Sequence, residues 1–116
     1  MTKKRANEIF RFLASASMKR MTDEEKIGFI RLLRTMKPII DELSAAATDA
    51  FRKASEDGAA NAEQLAMQSI SDLLTAEADI DIAVMTEDGF DHLALSNDWT
   101  FLQIEELKDA LVKKQE

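Results

Sequence analysis

Chemistry at neutral pH needs side chains that titrate or attack there, and this chain of 116 residues supplies few. Its single histidine, His92, stands beside Asp91, a pairing that could orient an imidazole as a general base. No serine, cysteine or second histidine stands at a spacing that would complete a nucleophile–base pair. With three glycines the chain offers no phosphate-cradling loop. A lone histidine in a short acidic turn reads as a surface or cap residue. The absence of cysteine removes disulfides, thiolate zinc sites and thiol nucleophiles. Named catalytic roles cannot be filled from this inventory, so the expectation is a protein that is not an enzyme and uses no cofactor.

Carboxylates are the other candidate chemistry. Glu77, Asp79, Asp81, Glu87, Asp88 and Asp91 lie close in sequence and could hold a divalent cation. A calcium loop wants oxygen ligands at alternate positions, glycine at the sixth and a bidentate carboxylate at the twelfth. Counted from Asp79, the sixth residue is Val84 and the twelfth is Phe90, so the pattern fails and no metal site is expected. An extended segment over 79–85, with Ile80 and Ile82 inward and Asp79 and Asp81 outward, explains the spacing better.

Basic residues raise a third possibility. Residues 1–37 carry ten Lys/Arg against four Asp/Glu, whereas residues 38–107 carry two against sixteen. In the polyanion-binding alternative, Lys4, Arg5, Arg11, Lys19, Arg20, Arg31 and Arg34, with Lys3, contact phosphates. The formal net charge of −7 opposes this, and no aromatic residues interleave with the arginines to stack bases. A helix–turn–helix over 86–113 fails for the same reason. Its recognition helix would present Asp98, Gln103, Glu105 and Glu106 to the DNA. Nucleic acid is therefore not the expected partner, and solvated helix faces account for the charges.

The elements that position these residues are helical. Three glycines, one proline and no tyrosine fit badly with an all-β domain. Ala6, Ile9, Phe10 and Leu13 form one stripe of a helix over about 4–18. Thr22-Asp23-Glu24-Glu25 is a capping box, with three carboxylates at the positive end of the helix dipole. Beyond it Phe29, Leu33, Met36, Ile40, Leu43, Ala47, Ala50 and Ala54 alternate at spacings of four and three, straight through Pro38. This predicts one long helix over about 23–56, bent or broken at the proline and stopped by Asp57-Gly58. Leu32, Ile39 and Ala46 widen the seam beyond what a two-stranded coil covers, so a bundle is expected.

A third helix fits 60–76, capped by Asn61, with Ala62, Leu65, Ala66, Ile70 and Leu73 on its apolar face. Glu87-Asp88-Gly89 reads as a turn, and Phe90, Leu93 and Leu95 as a short buried piece. Thr100 and Gln103 open a last helix over 100–113 with Phe101, Ile104, Leu107 and Leu111 inward, and Lys108, Lys113 and Lys114 at its C-terminal end. Trp99, the only tryptophan, packs over the end of the bundle or anchors a partner. No apolar run is long enough to cross a membrane, and the start MTKKRANEIF lacks the apolar stretch of a signal peptide, so a cytoplasmic location is expected.

The order of features is also familiar. Met-Lys-Pro-Ile-Ile-Asp-Glu-Leu at 36–43 precedes a helix ending Leu73-Leu74, then Ile80-Asp81-Ile82, Thr86-Glu87-Asp88 and Leu102-Gln103-Ile104-Glu105-Glu106-Leu107. Across about residues 23–113 this resembles small helical proteins encoded by tailed phages and prophages. The resemblance implies an accessory or structural role, with a location in the bacterial cytoplasm or on the virion, and no catalytic residue to carry over. The expectation is therefore a single mainly α-helical domain, a bundle built on one long helix. It would act as an assembly or adaptor protein through protein–protein contacts and form a homo-oligomer, most simply a dimer. The candidate contact residues are Phe29, Leu33, Met36, Ile40, Leu43, Ala47, Ala50 and Trp99.

Overall fold

The computed structural model describes residues 1–58 and 61–113. Five helices follow one another: α1 (Lys3–Ala14), α2 (Asp23–Asp57), α3 (Ala62–Thr75), α4 (Glu87–Leu95) and α5 (Phe101–Leu111). The chain is mainly α-helical, and among the described residues β pairing is confined to two isolated bridges, Thr2 with Glu77 and Met85 with Val112. It divides into two compact units. Unit 1 takes Met1–Phe10 and Met36–Asp79; unit 2 takes Arg11–Thr35 and the chain from Ile80. Helices α1 and α2 each contribute residues to both units.

Helix α2 starts where its capping chemistry dictates. The Glu25 N–H donates to the Thr22 hydroxyl at 3.2 Å and the Thr22 N–H donates to the Glu25 carboxylate at 2.9 Å. It then runs through Pro38 for 35 residues without a break. Proline lacks the N–H that would bond four residues back, and an exposed position in a helix held by packing on either side tolerates that loss. Gly58 ends the helix at φ +60°, a left-handed conformation that glycine adopts without a Cβ penalty.

In unit 1, Ala6, Ile9, Met36, Ile40, Leu43, Ala66 and Ala78 are buried. Its chain ends are joined by backbone bonds, Lys3 N–H to the Ala76 carbonyl and Ala78 N–H to the Met1 carbonyl, both 2.9 Å. That pairing explains why α3 stops before 76: Ala76 turns extended, and its carbonyl is used by Lys3. Asn61 precedes α3 without making the side-chain cap bond expected of it, and Ala60, the expected first residue of that helix, lies outside the described residues. Leu65, expected inward, is exposed, while Ala66 beside it is buried.

Unit 2 is centred on Phe29, Phe90, Leu13, Leu93 and Leu111, with Leu32, Met21, Ile82, Met85 and Leu107 around them. Helix α1 ends four residues short of the expected 18. The Ser17 N–H donates to Asn97 Oδ1 at 2.8 Å, and Asn97 Nδ2 donates to the Ser17 carbonyl at 2.9 Å, so the backbone there is committed elsewhere. The segment over 80–85 is irregular, where an extended piece was expected. The Ala83 N–H donates to the Asp81 side chain at 3.0 Å and the Val84 N–H to the Ile82 carbonyl at 2.9 Å, local turns that compete with a strand. Ile82 is nevertheless buried and Asp81 exposed, as the alternation implied. Met85 alone pairs, exchanging bonds with Leu111 and Lys113, and that exchange ends α5 at Leu111. Lys114 lies outside the described residues.

Two expectations about the C-terminal half are overturned. Residues 87–95 form a nine-residue helix, α4, where a turn and a short buried piece were expected. Thr86 caps it by accepting the Gly89 N–H at 3.0 Å. Gly89 sits inside that helix because a Cβ there would lie 3.1 Å from the Thr86 hydroxyl and 3.6 Å from the Glu25 carboxylate. The second correction concerns Leu95 and Phe101, both expected inward, which are 69% and 72% exposed. The Thr100–Gln103 capping box expected at the start of α5 is present in both directions.

Candidate functional site

The only buried side of α2 within unit 2 is the Phe29/Leu32 stripe; the side bearing Glu24, Gly28, Arg31 and Thr35 is exposed. Between this side and the irregular segment 81–86 lies a trough of about 600 Å³. Its floor is apolar, made of Phe29, Leu32, Met85 and Val84. Glu24, Glu25, Asp81 and Arg31 bring charge to it, and Thr22, Thr35 and Thr86 bring hydroxyls. Gly28 contributes no side chain, and a Cβ built on it would meet nothing within 4 Å. The trough exists partly because that position is empty.

One end is set by a polar clamp between the first turn of α2 and the last turn of α4. His92 Nδ1 lies 2.8 Å and 3.0 Å from the two Glu25 carboxylate oxygens. This joins the first turn of α2 to α4. The Thr22 backbone N–H holds the Glu25 carboxyl below its ordinary value; partial burial opposes this, and the hydrogen bond and charge of His92 add to the lowering. His92 is thus oriented by Glu25, 67 residues away, where sequence offered its neighbour Asp91. No local pattern announces that partnership, although Thr86 followed by two acids is an N-cap signal that would have placed His92 on a helix. Both threonine hydroxyls at this end accept cap hydrogen bonds, from Glu25 and from Gly89. What the trough offers is shape, an apolar floor and carboxylates.

The residues singled out from sequence are placed as follows. Phe29, Met36, Ile40 and Leu43 are buried inside this chain's own core, which removes them from the surface a partner would touch. Leu33, Ala47 and Ala50 are half-buried. Trp99 is half-buried and stacks at a tilt on Phe12, ring centroids 5.2 Å apart. Of the cations, Lys4 and Arg5 belong to unit 1 and Arg11, Lys19, Arg20, Arg31 and Arg34 to unit 2, so no single unit carries the set. Lys3 pairs with Glu42 at 3.8 Å and Arg5 with Glu8 at 3.6 Å. Among the described residues no three carboxylate or imidazole side chains are grouped to hold a metal ion, and no helix is long and apolar enough to cross a membrane.

The exposed apolar residues are what sequence reasoning missed. Leu95, at the end of α4, and Phe101 and Leu102, at the start of α5, are each about 70% exposed and separated only by the connection 96–100. In unit 1, Phe51, Leu65 and Met67 are about half exposed. Comparison with known proteins finds no matching family model, no matching curated protein and no matching solved structure.

Proposed function

We propose that this chain is a non-enzymatic assembly or adaptor protein acting through protein–protein contacts, an accessory or structural component of the kind tailed phages and prophages encode. It would work in the bacterial cytoplasm or on the virion. The observation that carries the reading is the corner of unit 2 where Leu95, Phe101 and Leu102 turn most of their surface to solvent. Large apolar groups left exposed this close together in the chain favour burial against another surface. Phe101 and Leu102 occupy the first turn of a helix whose capping box and buried Leu107 and Leu111 hold it without their help. Their apolar character is therefore not required by the chain's own packing. Self-association, most simply as a dimer, is the simplest form of such contact.

Light scattering after size exclusion tests the reading. The expected result is a mass above the 13.0 kDa of one chain that persists in high salt. Phe101→Ser with Leu102→Ser should return the monomer with unchanged helix content. A wild-type monomer at low and high salt that captures no protein partner would refute it.

A further inference from the structure

From the trough on α2 we infer a docking site for a short cationic, amphipathic segment of a partner protein. This rests on the reading that the chain works through protein contacts, and it names a place and a partner class that the α4–α5 corner does not. Length is the first argument. The wall runs along α2 from Thr22 to Thr35, about 20 Å at the helical rise. That matches about six residues of extended chain. The floor is the second. Phe29, Leu32 and Met85 are largely buried by the chain itself, and Val84, 43% exposed, adds to the floor a surface that apolar side chains would cover. Gly28 leaves the room that makes the wall concave.

Charge selects the occupant. Of the four charged side chains lining the trough, three are carboxylates, Glu24, Glu25 and Asp81. Glu25 is held below its ordinary pKa by the Thr22 N–H and by His92, which partner both of its oxygens. Asp23 and Asp88, on the first turns of the two bordering helices, add negative charge, while Glu87 is paired with Lys108 at 3.0 Å. Arg31 is the lone opposing charge, two turns along α2 from Glu24 and Glu25. It favours a segment whose lysines or arginines gather toward the α2 start, with apolar residues over Val84. An acidic segment would be repelled at one end and receive a single partner at the other.

Fluorescence anisotropy with labelled six-residue peptides tests this on the whole chain. The probes are a Lys/Leu peptide, its Glu/Leu counterpart and an all-lysine peptide, each at physiological salt. The expected result is saturable one-site binding of the Lys/Leu peptide, at least about tenfold tighter than either other peptide. Gly28→Leu, which fills the trough from an exposed helical position, should weaken it about tenfold or more with the thermal transition retained. Glu24→Lys with Asp81→Lys should reverse the preference toward Glu/Leu. Equal binding of the Lys/Leu and Glu/Leu peptides, or wild-type affinity in Gly28→Leu, overturns the inference. So does a trough that takes an uncharged apolar dye but no peptide, which would mark a small-molecule site. A solution mass that falls on Gly28→Leu while peptides fail to bind would mean the occupant is a second copy, and also overturns it. Loss of peptide binding leaves the Phe101/Leu102 mass experiment standing, so the two readings fail separately.

Discussion

Replacing Glu25 by glutamine removes one negative charge from the molecule and little else. The glutamine carbonyl can still accept the Thr22 N–H, so the capping box keeps its shape. Two interactions weaken. The carboxylate in the first turn of α2 opposes the positive end of the helix dipole, a contribution of about 0.3–1 kcal/mol. Its charge-assisted contact with His92 Nδ1, at 2.8 Å but with a half-exposed imidazole, adds about 0.2–1 kcal/mol after solvent screening. The expected loss at neutral pH is therefore about 1 kcal/mol, which for a domain of this size lowers Tm by roughly 5 °C.

The loss depends on pH with a definite sign. Glu25 is held below its ordinary value of 4.5 in the folded chain, so the unfolded chain binds more protons across the window between the two pKa values. The stabilisation is fully present above the unfolded value and disappears as pH falls through the folded one. Thermal unfolding of wild type and E25Q at pH 7, 5, 4 and 3 should show a gap that is present at the upper two values and closes toward the lowest. His92→Ala should cost less in the E25Q background than in wild type, because the partner charge is already gone. A gap that stays the same at pH 3, or equal Tm values at pH 7, would refute the clamp as an energetic contact.

Other perturbations separate packing from exposure. Phe90 is fully buried in unit 2, and Phe90→Ala should destabilise by about 3–5 kcal/mol in urea unfolding, whereas Leu65→Ala, at an exposed site outside the proposed contact, should stay within about 0.5 kcal/mol. Gly28→Ala adds a Cβ where nothing lies within 4 Å, so the helix gains about 1 kcal/mol and Tm should rise. Gly58→Ala should cost about 1 kcal/mol by the same measurement, because φ is +60° there. Pro38→Ala restores a backbone donor within a continuous helix and should stabilise by about 1–3 kcal/mol, read as a higher urea midpoint with unchanged helical circular dichroism.

What was legible in the sequence is what neighbouring residues settle among themselves. The capping boxes at Thr22 and Thr100 need only a hydroxyl and a side-chain acceptor three residues apart, and both form. The four–three spacing through Pro38 described the length of α2 correctly, because the periodicity of an apolar face outweighs the loss of one hydrogen bond. Its end at Gly58 followed from the one residue there free to turn left-handed. Helix α4 was locally encoded too, by Thr86 and the acids after it. Gly89 masked it by resembling a turn residue when its small size leaves room for the Thr86 cap, whose hydroxyl would lie 3.1 Å from a Cβ there.

Tertiary structure decided the rest. Periodicity marks Phe101 and Leu65 as apolar-face residues, yet exposure depends on whether another element arrives to cover them, and among the described residues none does. The interior of Phe29 and Met36 was likewise settled by what packs on α2. The strand expected at 79–85 gave way to side-chain turns at Asp81 and a single pairing of Met85, because strand pairing needs a long partner and α5 supplies only its last residues. Glu25 with His92, and Ser17 with Asn97, meet across 67 and 80 residues. A sequence carries their donors and acceptors but no distance between them, so the trough and its clamp exist only once the chain has closed on itself.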